Sequence, residues 1–239
     1  MFYKVLAPVY HYVFPVDDKD KFLMRFFNKG NRLLDVGCSD GRVALALASE
    51  IHDCTVTGID LSEDLLEIAG QLDPLNRKIK FIKMDMLNVS ENFEHASFDG
   101  VYCIGNTLVH LLDIVEIEKT LLGFWNVLKP DGKMIVQILN YDMIMNDKPS
   151  HLPLIENEAV KFERNYYYDH PHIRFEATLT NKIENRAPVT SDTGLLALKK
   201  AELDDLLIRI GFSDVEYYSG FNCESLDEKK LPLIVVAKK

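Results

Sequence analysis

Three aspartates recur at equal intervals in the first part of this sequence. Asp35, Asp60 and Asp85 are 25 residues apart, and each lies at or near the end of a short apolar run. Such runs, rich in Val, Ile and Leu, are typical of buried strands in a parallel sheet. Because open parallel sheets bind ligands outside the carboxyl ends of their strands, we expect the three acids to line one ligand-binding edge.

The first of these acids belongs to a predicted strand, turn and helix over residues 33–48. Gly37 and Gly41 bracket a polar turn, and their missing Cβ atoms would let a ligand approach the backbone closely. A turn from strand to helix is also expected to present unpaired N–H groups and the positive end of the helix dipole. Asp35 adds a fixed negative charge, which a site built only for pyrophosphate would not use. The combination predicts a ligand that carries a cation.

The second acid is predicted to bind a ribose. Asp60 ends a strand predicted over Thr55–Ile59, where a carboxylate can accept hydrogen bonds from both ribose hydroxyls of an adenosine. The alternative is that Asp60 caps the helix predicted over Glu63–Ala69, although Ser62 is the better cap. For Asp85, which follows a third predicted strand, the alternative is that it only ends that strand.

The spacing acid-x-Gly-x-x-x-Gly over residues 35–41 resembles the first motif of the class I S-adenosylmethionine-dependent methyltransferases. Ser39 stands where many members have a third glycine, a mild departure because serine is also small. The resemblance implies S-adenosylmethionine as the cofactor, with Asp85 meeting the adenine amino group and Met86 flanking the ring. The implied cofactor-binding residues in this part of the chain are Asp35, Gly37, Cys38, Gly41, Asp60, Leu61, Asp85 and Met86.

A second stretch makes the resemblance specific to one group within this class of methyltransferases. Residues 103–113, CIGNTLVHLLD, and residues 140–142, Asn-Tyr-Asp, are similar to the glycine and sarcosine N-methyltransferase group. This similarity implies that the backbone at Ile104 and Gly105 receives the amino acid part of the cofactor. Glycine-methylating members have an arginine immediately before Asn-Tyr, whereas this chain has Leu139. Because a buried substrate carboxylate needs a paired cation, the resemblance supports the reaction and not glycine as the substrate.

Asn106 and His110 are the candidates for catalysis in this stretch. The resemblance places Asn106 on the substrate side and His110 beside the cofactor. Asn106 offers both a donor and an acceptor, and the spacing of four residues predicts that both side chains project from one face of a helix. The alternatives are a helix cap for Asn106 and an ordinary helix histidine for His110.

The elements that position these residues are predicted to form a Rossmann-like α/β fold. Its sheet would have seven strands, mostly parallel, with an antiparallel last strand. Because 239 residues suit one α/β domain better than two, we expect a single methyltransferase domain over residues 1–239. Within it, residues 17–29 are predicted to form an amphipathic helix. Residues 129–132, Lys-Pro-Asp-Gly, predict a turn before strand five.

Residues 1–30 also contain an aromatic segment that resembles the N-terminal lid of many small-molecule methyltransferases. Tyr3, Tyr10 and Tyr12 are its candidates for covering the site, since an aromatic face stabilises a nearby cation. We place Tyr10 with Asn106 and His110 among the catalytic candidates. The alternative is that these aromatic side chains only pack on the domain.

Residues 143–194 are predicted to insert an antiparallel hairpin after strand five, with strands over 159–168 and 173–183. The hairpin would cover the substrate pocket, and a dimer surface is the rival use. Candidates to line the pocket, with a solvated sheet face as the alternative, are tyrosines 166–168 and Arg164 or Arg174.

Composition argues against several classes of protein. The formal net charge is −10 and no block of Lys and Arg appears, which disfavours a nucleic-acid partner. No stretch approaches a membrane span. The N-terminal residues lack the basic region, apolar run and small-residue cleavage site of a secretory signal, so secretion is not expected. The four cysteines are scattered, which favours a reduced, cytoplasmic protein. His170 and His172 lack a third ligand, so no metal site is predicted.

These observations favour an S-adenosylmethionine-dependent methyltransferase that acts on a small molecule, with an amine nitrogen as the preferred acceptor. Small-molecule O-methylation is the alternative, and a non-catalytic S-adenosylmethionine-binding module is another. A nicotinamide dehydrogenase fits poorly because Gly37, Ser39 and Arg42 occupy the positions of a G-x-G-x-x-G turn. An RNA methyltransferase is disfavoured by the charge and by the lack of an Asn-Pro-Pro-Tyr motif.

Overall fold

The structure is a computed structural model that describes residues 2–73, 78–169 and 171–239. Its strands form two sheets, one of seven strands and one of four. The strands are β1 (Arg32–Val36), β2 (Thr55–Asp60), β3 (Ile79–Lys83), β4 (Phe98–Cys103), β5 (Leu128–Leu139), β6 (Ile155–Glu156), β7 (Val160–Asp169), β8 (His172–Asn181), β9 (Val189–Leu196), β10 (Ser213–Tyr218) and β11 (Pro232–Lys238).

Helices cover both faces and the carboxyl edge of the seven-stranded sheet. Short 3-10 turns lie over Ala7–Val9, Met86–Asn88 and Leu108–His110. The α-helices are α1 (Phe2–Leu6), α2 (Tyr10–Val13), α3 (Lys19–Met24), α4 (Arg42–Glu50), α5 (Glu63–Leu72), α6 (Val89–Asn92), α7 (Ile114–Val127), α8 (Tyr141–Asp147) and α9 (Lys200–Ile210).

The large sheet has the strand order β10-β11-β5-β4-β1-β2-β3. Strands β1 to β5 are parallel, whereas β11 runs antiparallel to both β5 and β10. The chain moves outward from β1 through β2 and β3, then returns to the other side of β1 for β4 and β5. This reversal leaves a crevice at the carboxyl ends of β1 and β4, where open α/β sheets bind ligands. The predicted fold class is confirmed.

Two predicted elements differ in extent. The helix predicted over 17–29 spans only Lys19–Met24, yet Phe22, Leu23 and Phe27 are buried as the apolar pattern requires. Residues 129–132 form a bulge inside β5 instead of a turn before it. Phe98 pairs with Leu128 while Gly100, two residues on, pairs with Lys133, so three extra residues are accommodated on β5.

The predicted antiparallel hairpin is confirmed as β7 and β8, and β6 and β9 extend it into a four-stranded sheet ordered β6-β7-β8-β9. Strands β7 and β8 match the prediction within two residues. Strand β9, VTSDTGLL, was missed because its first half lacks an apolar alternation. His170 lies outside the described residues. No helix in the described part of the chain is long and apolar enough to cross a membrane.

The N-terminal helices pack onto this inserted sheet. Val5, Leu6 and Val9 form an apolar cluster with Val160 and Phe162. Helix α1 also contacts α5, which begins at the carboxyl edge of the large sheet. The N-terminal helices therefore bridge the inserted sheet and the edge where the predicted acids lie.

Candidate active site

The backbone N–H groups of the turn after β1 form hydrogen bonds to other atoms of the protein. The N–H groups of Gly37 and Cys38 both donate to the carbonyl oxygen of Ile59, at 2.8 and 3.0 Å. The Ser39 N–H donates to a carboxylate oxygen of Asp60 at 2.9 Å. The expectation of unpaired amides is therefore wrong for these three residues. A pyrophosphate would have to displace those bonds, whereas a ligand bound through hydroxyl and ammonium groups would not.

Protein atoms explain why Gly37 and Gly41 are glycines. Both have positive φ, +74° and +73°. A Cβ at Gly37 would lie 2.5 Å from Cγ2 of Thr107, and one at Gly41 would lie 2.5 Å from the Phe81 ring. The missing Cβ atoms let the segment after β4 and strand β3 pack against the turn. This corrects the expectation that both positions are small to admit a ligand.

Asp60 joins this turn to the end of β2. Its two carboxylate oxygens accept hydrogen bonds from the N–H groups of Ser39 at 2.9 Å and Ser62 at 2.8 Å. Ser62 caps α5 by accepting from the Leu65 N–H at 3.3 Å, as predicted. Each carboxylate oxygen of Asp60 has a second lone pair, so the orientation fixed by the backbone still suits ribose hydroxyls. The ribose role stays a prediction.

Asp35 is 2% exposed. Burial raises the pKa of its carboxyl to about 8, and the nearby Asp60 and Asp40 add to the rise. The Tyr102 hydroxyl lies beside it, although the pair falls outside ordinary hydrogen-bond geometry. Burial therefore favours the neutral form of this carboxyl in the protein alone, and the negative charge expected beside a ligand stays a prediction. A cation brought to this position would lower the pKa and ionise the group.

The third acid lies beside exposed apolar surface. Asp85 caps the 3-10 turn over Met86–Asn88 by accepting from the Leu87 N–H at 2.9 Å through one carboxylate oxygen. The Met84 N–H donates to the Asp60 carbonyl oxygen at 3.0 Å, which holds the ends of β2 and β3 together. Leu61 is 60% exposed next to Asp60. An acid and an exposed apolar side chain at neighbouring strand ends suit the polar edge and the face of an adenine ring.

The segment after β4 does not continue as a helix through Asn106. This residue has a φ of +65°, and only Leu108–His110 form a 3-10 turn. The predicted shared helix face for Asn106 and His110 is therefore wrong. The physical reason is that the Asn106 side-chain oxygen accepts from the Leu139 N–H at 2.9 Å, and asparagine tolerates the left-handed conformation that this bond requires.

Asn106 also meets Tyr141. Its Nδ2 donates to the Tyr141 hydroxyl at 3.0 Å, and the Tyr141 side chain is fully buried. Burial raises the pKa of this phenol, so it stays neutral at pH 7. Tyr141 was not among the predicted site residues, although it is the tyrosine of the Asn-Tyr-Asp stretch. The pair joins the ends of β4 and β5 at the same edge as the three acids.

Gly105 is exposed to solvent at the carboxyl edge of the large sheet. Its N–H donates to the Gln137 side-chain oxygen at 2.7 Å, and the neighbouring Ile104 carbonyl oxygen accepts from the Thr107 hydroxyl at 2.9 Å. Gly105 has a φ of +80°, and a Cβ there would find only Thr107 Oγ1, at 4.0 Å. Unlike Gly37 and Gly41, Gly105 therefore has room for a ligand against its backbone.

We call the surface over these strand ends the cleft; Tyr3 and Tyr10 lie at it close to Asp60, and the segment after β4 that carries His110 follows at the same edge of the sheet. His110 and Tyr3 are exposed and Tyr10 is half-buried, yet desolvation shifts the pKa of all three. The pKa of His110 is lowered, so the imidazole is neutral at pH 7.

The structure separates the three lid tyrosines. Tyr10 lies beside Ser39 and close to Asp60, and Tyr3 also lies close to Asp60. The carbonyl oxygen of Tyr12 instead accepts from Asn157 Nδ2 at 2.9 Å, at the junction with the inserted sheet. Tyr10 and Tyr3 are therefore in position to cover the cleft. Asn106 and His110 lie across it, after β4.

The two faces of the inserted sheet differ in chemistry. On the outer face, Arg174 pairs with Asp192 at 2.7 Å and stacks 3.7 Å from the centre of the Tyr167 ring, both in exposed positions. On the inner face, Tyr166 is 3% exposed and Arg164 is half-buried. Of the residues predicted to line a pocket, Arg164 and Tyr166 face inward, whereas Arg174 and Tyr167 match the solvated-face alternative.

A separate cavity of about 270 Å³ lies at the opposite end of the large sheet. Its lining includes Arg32 and Phe98, the first residues of β1 and β4, together with Lys80 and Ser97. Parallel sheets bind ligands at the carboxyl ends of their strands, and the acids, Gly105 and His110 all lie there. We therefore place the chemistry at the cleft.

Comparisons with known proteins agree with this geometry. A family model described as "Methyltransferase domain" matches residues 33–132. The chain is 27% identical over 200 residues to a glycine/sarcosine N-methyltransferase of Aphanothece halophytica, covering 80% of this chain and 69% of the relative. It is 35% identical over 126 residues to O-methyltransferase cnsE of Penicillium expansum, covering 51% of this chain and 42% of the relative. The chain spans about half the length of several other curated relatives.

The fold also matches a solved structure, that of an S-adenosylmethionine-dependent methyltransferase from Clostridium acetobutylicum ATCC 824. The TM-score is 0.82 at 15% identity, and the match covers 100% of this chain and 99% of that one. At this level of identity the match shows a shared fold. Residues 33–132 match a methyltransferase domain family, and together with the fold and the N-methyltransferase relative this match supports a class I S-adenosylmethionine-dependent methyltransferase with S-adenosylmethionine as its cofactor.

Proposed function

We propose that this protein transfers the methyl group of S-adenosylmethionine to an amine nitrogen of a small molecule. The observation that carries the preference for nitrogen is the pair Asn106 and Tyr141 on the acceptor side of the cleft. An amide and a neutral phenol can orient an acceptor, but neither removes a proton at pH 7. A deprotonated amine already has a free electron pair and needs no base. The N-methyltransferase relative, aligned over 80% of this chain, supports the same acceptor.

The protein's part in such a reaction is binding and alignment. When bound, the sulfonium of the cofactor supplies an electrophilic methyl group, and the N–C bond forms as the S–C bond breaks. In-line geometry with the nitrogen about 3 Å from the methyl carbon supplies much of the rate. Asp60 and the strand ends hold the cofactor, Tyr10 and Tyr3 exclude water from above, and Asn106 is fixed by two hydrogen bonds. The proton of the methylated amine leaves to solvent.

O-methylation is the second candidate, and His110 is the observation that favours it. Its lowered pKa leaves the imidazole neutral at pH 7, at the cleft, where it can accept a proton from a hydroxyl. The relative cnsE carries the name O-methyltransferase. An oxygen acceptor would therefore require His110, whereas an amine acceptor would not.

The test begins with calorimetric titration of S-adenosylmethionine and S-adenosylhomocysteine into the protein. We expect Asp60→Ala to weaken binding tenfold or more, about 1.4 kcal/mol. Glu67→Ala, which removes an exposed acid on α5, is the matched control and should bind normally. Failure of the folded protein to bind either ligand would contradict the proposal.

The acceptor is then tested by release of S-adenosylhomocysteine with a panel of small amines beside a panel of alcohols and phenols. Turnover with amines that survives His110→Gln supports N-methylation. Turnover confined to hydroxyl acceptors and lost in His110→Gln would favour O-methylation instead. Cofactor binding with no release on either panel would favour a non-catalytic binding module.

A further inference from the structure

Arg164 occupies an unusual position on the inserted sheet. Successive even-numbered residues of β7 face inward, where Val160 and Phe162 pack with the N-terminal helices and Tyr166 packs with the main core. Arg164 lies between these two apolar contacts, on the same face. Its partner across the sheet is Ala177, which is buried in the same apolar cluster as Val160 and Phe162. A charged group therefore faces the interior at the junction of lid, inserted sheet and core.

Most of the hydrogen-bonding capacity of this guanidinium is unused among the described residues. Arg164 Nη2 donates to the Pro153 carbonyl oxygen at 2.6 Å, and the buried Nε has no hydrogen-bond partner there. Other arginines, namely Arg42, Arg174, Arg186 and Arg209, each have a carboxylate within 4.0 Å. Arg164, like Arg25 and Arg32, has no such ion pair in the described part of the chain, but of these three only Arg164 has a buried Nε without a hydrogen-bond partner there. Because buried guanidinium groups are normally paired, an acceptor is missing here.

Tyr166 adds a second buried donor next to Arg164. Its hydroxyl has no hydrogen-bond partner among the described residues, although the side chain is 3% exposed. Burial raises the pKa of the Tyr166 hydroxyl, and the positive charge of Arg164 opposes part of that rise. Tyr166 in turn adds to the raised pKa of Tyr141, so the three groups lie close together. Tyr141 bonds Asn106 at the carboxyl edge of the large sheet. The two donors without acceptors thus adjoin the acceptor side of the cleft.

We propose that Arg164 and Tyr166 form an anion-binding subsite for the methyl acceptor, which therefore carries a carboxylate or a similar acidic group in addition to its nucleophile. One carboxylate would supply the acceptors that the Arg164 Nε–H and the Tyr166 hydroxyl lack, and charge-assisted bonds to arginine are among the strongest available. This inference rests on the proposed methyl-transfer function, because it describes the substrate of that reaction.

The subsite differs from the arrangement that the sequence resemblance implied. There, an arginine immediately before Asn140 clamps the substrate carboxylate, and this chain has Leu139 at that position. Arg164 approaches from the inserted sheet instead of from the end of β5. An acceptor held there would enter with its acidic group under the sheet and its nucleophile toward Asn106. Such a geometry admits an acidic amine without requiring that it be glycine.

Binding is measured separately from turnover. With S-adenosylhomocysteine saturating, we would record thermal shifts for a panel of free amino acids, each beside its uncharged primary amide. At least one acid should raise the Tm, and its amide should not. Arg164→Gln should abolish that shift and Arg164→Lys should retain part of it. Arg174→Gln, on the outer face of the same sheet, should respond like the wild type.

The inference is overturned if amides shift the Tm as much as acids, if no acid shifts it, or if Arg164→Gln still responds. Normal affinity of each variant for S-adenosylhomocysteine shows that it has folded. Turnover is read in parallel samples that contain S-adenosylmethionine and no added S-adenosylhomocysteine, and Arg164→Gln should lower kcat/KM for an acidic acceptor about a hundredfold, mainly through KM. Acids that bind through Arg164 but are never methylated would overturn the proposed function and leave the subsite in place.

Discussion

At the scale of a single residue, we expect Asp35 to couple cofactor binding to the release of a proton. Burial raises its pKa to about 8, against 3.8 for an ordinary aspartate. In the unliganded protein this acid prefers its neutral form, so its share of folding stability is present below pH 4 and is lost as the pH rises toward 8. A cation beside the carboxyl reverses that preference. Binding of S-adenosylmethionine near neutral pH should therefore release a proton from Asp35.

The first prediction follows from this coupling. Between pH 6 and pH 7.5, affinity for S-adenosylmethionine should increase with pH, by up to about tenfold per pH unit. Titrations in phosphate and in Tris, whose ionisation heats differ, should report the released proton directly. Asp35→Asn, which keeps the shape and removes the titration, should show neither effect. Proton release of equal size in Asp35→Asn would assign it to Asp40 or Asp60 instead.

The second prediction concerns the turn glycine. Gly37→Ala places a Cβ 2.5 Å from Thr107 in a residue with a φ of +74°. The left-handed backbone should cost about 1–2 kcal/mol, and the collision should add about 1–3 kcal/mol. Gly30→Ala is the matched control, because Gly30 has a φ of +77° with nothing within 4 Å. Urea unfolding should show a clearly larger loss for Gly37→Ala, and equal losses would contradict the proposed packing role.

At the scale of elements, the N-terminal helices depend on the inserted sheet. Leu6 is 3% exposed and packs in the cluster that includes Val160 and Phe162. Leu6→Ala should weaken this docking by about 2–5 kcal/mol, because it removes buried methyl groups and leaves a cavity. Hydrogen exchange over residues 2–13 should accelerate and affinity for S-adenosylhomocysteine should fall. Exchange in β1 and β4 should stay slow.

The control for this experiment is Leu122→Ala, since Leu122 lies on α7 and is 43% exposed. It should change neither the exchange of residues 2–13 nor cofactor affinity. If Leu6→Ala instead accelerates exchange throughout the large sheet, the N-terminal helices unfold with the core and do not act as a separable lid.

Local patterns explain which elements could be predicted from the sequence. Strands β1 and β2 are apolar runs that end near acids, and Ser62 is an N-cap signal within a few residues of its helix. Strand β9 was not predicted because half of its residues are polar. Only its pairing with β8 identifies it as a strand. The contact of Thr107 with Gly37 joins residues 70 positions apart. No local pattern encodes such a contact.

The same limit applies to side-chain orientation at the site. The spacing of Asn106 and His110 suggested a helix, but a hydrogen bond to Leu139 on another strand sets the Asn106 backbone instead. Arg164 and Arg174 looked equivalent in the sequence. The register of β7 and β8 distinguishes them, because it places Arg164 on the inner face of the inserted sheet and Arg174 on the outer face.

At the scale of the whole molecule, the formal net charge of −10 acts on every charged ligand that approaches. S-adenosylmethionine carries one net positive charge near pH 7, and S-adenosylhomocysteine carries none, while their shapes are nearly the same. The protein's field should therefore favour the substrate form of the cofactor over the product form. This attraction is long-range, so salt should screen it.

The last prediction uses the difference in net charge between S-adenosylmethionine and S-adenosylhomocysteine as an internal control. When ionic strength rises from about 0.01 M to about 0.15 M, the screening length falls from about 30 Å to about 8 Å. Affinity for S-adenosylmethionine should fall severalfold over this range, whereas affinity for S-adenosylhomocysteine should change by less than about twofold. Calorimetric titration of both ligands at the two salt concentrations measures the contrast. An equal response of both would mean that the net charge does not discriminate between them, and that selectivity arises only from contacts inside the cleft such as Asp35.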